Sequence, residues 1–382
     1  MDAEILHSGF DGLKFTVQTD IPPTLRDILA AAKEHAKQTH RECVVTLGNI
    51  ALSVGGKGAR GFTAHTGDHG AVWLFQDPQD PIPNSPGVTV DFRAFGLATG
   101  GLEGAERHFR EGMEAMGIKY VETQLRVTRA DFAVDFLAPW FEPDRSALVV
   151  PPGTKITEYT GVDETATMAS GSRVTGLRAG AIVNRQLAIY DKRAEIIQQS
   201  KMGWLAIWNG ARAMQGKPPL DIKDRDTSQV WRFELRLGSK QLRNRFEMRN
   251  WQDIQNMIGD AFTDALTRIH YCEPTSDRNR SRWPLHDLWR LFVHVVGNDL
   301  RVNCCGVLPS DVRNANRIEK MREIDAQLLG LFVTRAAISD VSGDDFHEFI
   351  ENHVSALQRL CDAHPVPVEE RVAKAMARYR WV

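Results

Sequence analysis

Apolar and polar residues alternate over residues 10–19, the period-two signature of a half-buried strand. Pro22-Pro23 then opens a helix over 24–38, with Leu25, Ile28, Leu29 and Ala32 on one stripe. Short strand-like runs follow at 43–47, 71–75 and 88–95. Between the first two lies the glycine-rich piece 55–61, which lacks the spacing of a nucleotide-binding loop and reads as a mobile loop, with phosphate contact the lesser alternative. A proline-rich loop covers 78–86, an amphipathic helix 102–116 and a strand 121–136. Strand patterns return at 155–160, 181–191 and 230–237, with a helix over 193–214 between the last two. From there the period changes to that of helices, at 251–269, 285–296, 311–338, 344–361 and 369–378. This predicts an α+β protein: a central, largely antiparallel sheet with flanking helices over residues 1–250, then an all-α region over 251–382.

Three of these strands carry an apolar face and an unusual polar one. In the stretch from Arg185 to Arg193, Gln186, Ala188, Tyr190 and Lys192 share a face, while Leu187 and Ile189 take the other. In the second, Arg129, Asp131, Ala133 and Asp135 oppose Ala130, Phe132, Val134 and Phe136. In the third, Arg232, Glu234 and Arg236 oppose Trp231, Phe233, Leu235 and Leu237. Carboxylates are poor strand formers, so several inside strong strand patterns hint at a task. Were the strands neighbours, Asp131, Asp135, Glu234 and Tyr190 would converge. Carboxylate oxygens suit Mg²⁺ or Mn²⁺, and arginines suit phosphate. Ordinary cross-strand Arg–carboxylate pairing on a solvated sheet accounts for the same residues. A tyrosine beside a lysine is a candidate nucleophile, its phenol pKa expected to be lowered by the cation; a packed surface ring is the plainer reading.

Charge distribution favours a polyanionic partner. Net charge is only −2, but residues 173–249 carry 16 Lys/Arg against 7 Asp/Glu, whereas residues 1–172 carry 15 against 23. The basic island contains Tyr190. The five cysteines show no Cys-x-x-Cys pair, which predicts reduced thiols, no zinc site and a cytoplasmic protein. The acidic start does not read as a signal peptide, and no apolar run reaches spanning length, so no membrane role is expected.

Four segments, in order, resemble the trans-acting replication initiation factor (Rep_trans) family of rolling-circle initiators and the related MOB_T relaxases. They are Val127-Thr-Arg-Ala-Asp131-Phe-Ala-Val-Asp135, Gly171-Ser-Arg173, Ala188-Ile-Tyr190-Asp-Lys192-Arg-Ala-Glu195 and Trp231-Arg-Phe-Glu234-Leu-Arg236. The resemblance covers residues 85–240. It implies that Tyr190 is a nicking nucleophile forming a 5′-phosphotyrosine link to single-stranded or extruded origin DNA, with Lys192 beside it. It also implies a Mg²⁺ or Mn²⁺ cofactor on Asp131 and Glu234, with Asp135 as a further ligand. Arg129, Arg173, Arg185, Arg232 and Arg236 would then hold the DNA backbone. No His-x-His pair occurs among the 12 histidines, in keeping with a carboxylate-held metal.

The long helical tail and the low net charge depart from the plasmid initiators. The tail would serve DNA recognition, homodimer formation or contact with a host helicase. Its basic loop at 277–283 is either a backbone contact or a solvated turn, and Trp289, Leu291, Phe292 and Val296 read as core. Three rivals stand beside the replication initiator: a conjugative relaxase with the same chemistry, a non-catalytic DNA-binding regulator, and a metal-dependent nuclease using water.

Overall fold

The structure is a computed structural model that describes residues 3–378, apart from Ala59, Asp68, 160–173, Ser200 and 302–308. It comprises two compact units, Met1–Cys305 and Gly306–Val382. In the first, eleven strands form one antiparallel sheet in the order β2-β3-β4-β5-β6-β1-β7-β12-β11-β10-β9. On one side of the long strand β1 (Glu4–Val17) lie β2 (Cys43–Leu47), β3 (Ile50–Val54), β4 (Gly61–His65), β5 (Ala71–Gln76) and β6 (Val88–Phe92). On the other lie β7 (Leu125–Leu137), β12 (Val230–Gly238), β11 (Arg185–Asp191), β10 (Gly176–Gly180) and β9 (Ile156–Tyr159). A separate short pair joins β8 (Leu148–Val149) to β13 (His270–Tyr271). The unit is α+β, as the change of hydrophobic period predicts.

The helices divide between the two faces. The apolar side of β1, β7 and β12 is packed by α6 (Trp251–Leu266) and α7 (Asp287–Asp299), with α1 (Pro23–Thr39) and most of α2 (Ala94–Ala115) in the same core. Trp251 lies 4.3 Å from Phe15, ring to ring, and Phe262 meets Phe10 and Phe132 edge-on. A smaller cluster occupies the opposite face, built from Leu6, Ile196, Trp204, Trp208, Leu220 and Val230. It sits under α3 (Lys192–Gln198) and α4 (Gly203–Met214), ahead of the single-turn α5 (Arg225–Ser228). The first turns of α2 join this cluster through Phe95 and Ala98. The helix kinks at Gly101, whose φ of 59° and ψ of −161° favour glycine, and Leu97 before the kink and Ala105, Phe109 and Met113 after it pack in the main core.

These contacts move the expected boundary. Residues 251–301 belong with the sheet rather than with the helical tail. The apolar stripes of α6 and α7 require a partner, and the phenylalanine-rich face of β1, β7 and β12 supplies it. Trp289, Phe292 and Val296 are core residues, as expected, and Leu291 packs against them. In the 277–283 loop, Arg280 donates to the carbonyls of Ser146 and Leu148, and Trp283 to that of Asp277, so the loop is tied down by its own chain. The second unit holds α8 (Pro309–Ile338), α9 (Phe346–Asp362) and α10 (Val368–Arg378), with Phe332 edge-on to His353 between α8 and α9. No helix of the described residues is long and apolar enough to cross a membrane.

Candidate active site

Register assembles the site as three adjacent rows across the sheet. The first runs His7, Asp135, Arg232, Tyr190 and Gly176 on β1, β7, β12, β11 and β10. The second runs Gly9, Ala133, Glu234, Ala188 and Arg178, and the third Gly12, Asp131, Arg236, Gln186 and Gly180. Small residues on both sides of Glu234 leave a floor open beneath α3 and α4. The cleft over it measures about 1160 Å³ and is lined by Asp11, Arg129, Asp131, Tyr190, Glu234 and Arg236, among others.

Two sub-networks share this floor. In the first, the half-buried Tyr190 donates its hydroxyl hydrogen bond to Glu234 Oε2 at 3.1 Å. Arg236 grips the same carboxylate with two hydrogen bonds, of 2.6 Å from Nε and 3.0 Å from Nη2, and reaches Gln186 at 3.2 Å. Asp131 pairs with Arg129 at 2.5 Å, while its Oδ1 is buried without a hydrogen-bond partner. Burial and the charge of Glu234 push the Asp131 carboxyl up to about 7, against the pull of Arg129. In the second network, the fully buried Arg232 makes hydrogen bonds of 2.6 and 2.7 Å to Asp135 and one of 2.5 Å to Asp11. Its guanidinium lies 4.1 Å from the Trp204 ring centroid. Trp208 donates to Asp135 Oδ2 at 2.9 Å, so both Asp135 oxygens are occupied. Burial alone would raise Asp135; the Arg232 charge overcomes it and holds the carboxyl below its usual range.

Several expectations change here. The Tyr190 phenol pKa is raised well above its ordinary value, not lowered, because burial and the neighbouring Glu234 and Glu195 oppose the phenolate. Lys192 is buried, donates to Glu195 at 2.8 Å, and lies 5.6 Å from the Tyr190 ring centroid and 5.0 Å from that of Trp204. It braces the ring instead of standing as a free charge. Asp135 and Arg232 neutralise one another inside the protein, so the carboxylate expected to hold a metal and the guanidinium expected to hold the DNA backbone are engaged with each other. Arg185 belongs to the opposite face of β11, near Arg245, Asp264 and Arg268 of the α6 side, where burial and the like charges lower its pKa to about 10. Arg129 and Arg236 do line the cleft, and Arg173 lies outside the described residues.

Three participants had no signal in strand periodicity. Asp11 is the extra residue of a bulge between Phe10 and Gly12, which turns its carboxylate toward the cleft. Gly12 carries no side chain because a Cβ there would lie 2.5 Å from Asp131 Oδ2. Arg178 reaches the cleft from β10, a strand too glycine-rich to be read from sequence. As to a metal, no group of three or more His, Cys, Asp or Glu side chains among the described residues is arranged as a ready-made centre. The unpartnered Asp131 oxygen and the adjacent Glu234 are hard-oxygen donors that fit a Mg²⁺ or Mn²⁺ ion completing its shell with water or phosphate.

Fold and site together define an antiparallel α+β protein with a tyrosine–carboxylate pair set among arginines in an open cleft. Among solved structures, it is similar to a rolling-circle replication initiator protein from Geobacillus stearothermophilus, at 16% sequence identity and a TM-score of 0.38, over 76% of this chain and 97% of that one. No family model matches the chain, and no curated protein matches it.

Proposed function

We propose that this protein nicks and rejoins single-stranded DNA by transesterification at Tyr190, in the manner of a rolling-circle replication initiator. The observation that carries this reading is the Tyr190 hydroxyl hydrogen-bonded to Glu234 in a cleft that also presents Arg129 and Arg236. A phenol with a raised pKa is protonated at neutral pH and needs a proton acceptor at the moment of attack; Glu234 is already in hydrogen-bond contact with it. As the Tyr190 oxygen–phosphorus bond forms, the phenol proton passes to Glu234. The bond from phosphorus to the 3′ oxygen breaks, and that oxygen leaves with the proton. The products are a 5′-phosphotyrosine and a free 3′ hydroxyl, and reversal rejoins the strand with no nucleotide cofactor.

A Mg²⁺ or Mn²⁺ ion held by Asp131 and Glu234 would neutralise charge on the non-bridging and leaving oxygens. A carboxylate has lone pairs enough to serve both a cation and the phenol. Arg129 and Arg236 would hold the phosphate. A conjugative relaxase uses the same chemistry, and the DNA it acts on distinguishes the two roles. The test is incubation with labelled single-stranded DNA from the protein's own genetic element plus Mn²⁺, followed by denaturing electrophoresis. A covalent adduct mapping to the Tyr190 peptide supports the reading. Cleavage that leaves a free 5′ phosphate and no adduct favours a nuclease using water, and binding without cleavage a regulator.

A further inference from the structure

One wall of the cleft is a column of stacked groups that ends at an exposed ring. Its base is the buried Arg232, clamped by Asp135 and Asp11, with its guanidinium over Trp204. The Trp204 ring stacks on Phe95, with centroids 5.3 Å apart and planes 29° apart. Phe95 is followed by His69 at 5.7 Å and 35°. Trp204, Phe95 and His69 all line the same cleft as Tyr190 and Glu234, and His69 is exposed.

The column is held from several sides. A Cβ at Gly203 would lie 2.9 Å from the Phe95 ring, so α4 starts directly against it. A Cβ at Gly96 would lie 2.2 Å from the carbonyl oxygen of His69, so the start of α2 seats that backbone. The turn between β4 and β5 is tied by Thr66, hydrogen-bonded to His108 at 2.8 Å, and by the Arg93 amide donating to Gly70 at 2.9 Å. His69 is thus an exposed ring set, tilted, against the stacked pair of Phe95 and Trp204. Such a ring is what single-stranded nucleic-acid sites use to hold a base, because every base offers a π face.

We propose that His69, backed by Phe95 and Trp204, is a base-stacking subsite for single-stranded DNA, holding a nucleotide next to the one whose phosphate reaches Tyr190. The inference rests on the nicking function above. It adds where one unpaired base is held, on the wall of the cleft formed by His69, Phe95 and Trp204.

The test measures binding of a fluorescent, mixed-sequence single-stranded DNA in the Tyr190→Phe background, where no covalent step intervenes. His69→Ala should weaken binding roughly 5- to 100-fold, the effect of losing one stacked base. His69→Phe should restore most of it, and His69→Lys, which supplies charge without a ring, should not. A series of oligonucleotides with one abasic position each should show a single position whose penalty disappears in His69→Ala. Binding equal to that of the parent in His69→Ala overturns the subsite and leaves the nicking reading intact. Rescue by lysine but not phenylalanine also overturns it, in favour of a simple charge contact. A parent protein that does not bind single-stranded DNA at all overturns both.

Discussion

Tyr190 and Glu234 are joined by a 3.1 Å hydrogen bond from phenol to carboxylate, and Arg236 holds that same carboxylate with two more. The phenol therefore has a fixed acceptor before DNA arrives. Tyr190→Phe removes one hydrogen bond from a half-buried ring and should leave the thermal transition nearly unchanged while abolishing any covalent adduct. Glu234→Gln keeps the shape but not the proton acceptor, and should slow adduct formation about 10²- to 10⁴-fold, within the range of general-base catalysis. An adduct formed at the normal rate by Glu234→Gln sinks the assignment of the base.

The Asp131 carboxyl, pushed up to about 7, makes cation binding depend on pH. A cation takes the deprotonated form, so Mn²⁺ affinity should be steady above neutrality and fall about tenfold per pH unit below it, with proton release on binding. The stability linkage has the opposite sense. The folded carboxyl holds its proton more tightly than the unfolded one, so the contribution of Asp131 to stability is fully present below about pH 4 and is lost as pH rises through about 7. Isothermal titration with Mn²⁺ at about pH 6 and about pH 8 checks the first statement; equal affinities contradict it.

Gly12 is needed because of what faces it. Gly12→Ala would set a methyl against Asp131 Oδ2 and displace the carboxylate. Misplacing a reacting group by about 1 Å costs on the order of 10² in rate. We expect that loss in metal-supported cleavage with circular dichroism unchanged. Normal cleavage by Gly12→Ala would remove Asp131 from the site.

The Arg232–Asp135 pair is a structural element under the floor. Arg232→Met strands the buried Asp135 and should cost about 3–5 kcal/mol in denaturant unfolding, whereas Asp135→Leu leaves Arg232 its Asp11 partner and should cost less. The two together should cost less than the sum, since Asp135 is then not left charged without Arg232, and only the partly exposed Asp11 loses its partner. Additive losses would show that the two side chains do not depend on one another.

Salt dependence separates the two faces of the sheet. Binding of single-stranded DNA should fall with salt with a log–log slope of about 0.7 per phosphate neutralised. Arg178→Ala, in the cleft, should flatten that slope by about 0.7, whereas Arg185→Ala, on the opposite face of β11, should leave it unchanged. The reverse result would place the DNA on the α6 side.

The apolar and polar sides of β7, β11 and β12 were legible from the order of residues, because side-chain direction alternates with every residue whatever the neighbours are. Alternation put Tyr190, Asp131, Glu234, Arg129 and Arg236 on those polar sides together with Asp135, Lys192 and Arg232, and the first five line the cleft. Tertiary structure decided everything that depends on register. It set Glu234 between two alanines and Asp135 beside Arg232, which split one apparent carboxylate cluster into a cleft site and a buried ion pair. It also decided which charges lost water, and so reversed the expected direction of the Tyr190 pKa. The bulge that turns Asp11 inward, the glycine that admits Asp131 and the stack ending at His69 each bring together residues far apart in the chain. A linear pattern holds no record of such contacts, because they arise only when strands and helices are laid side by side.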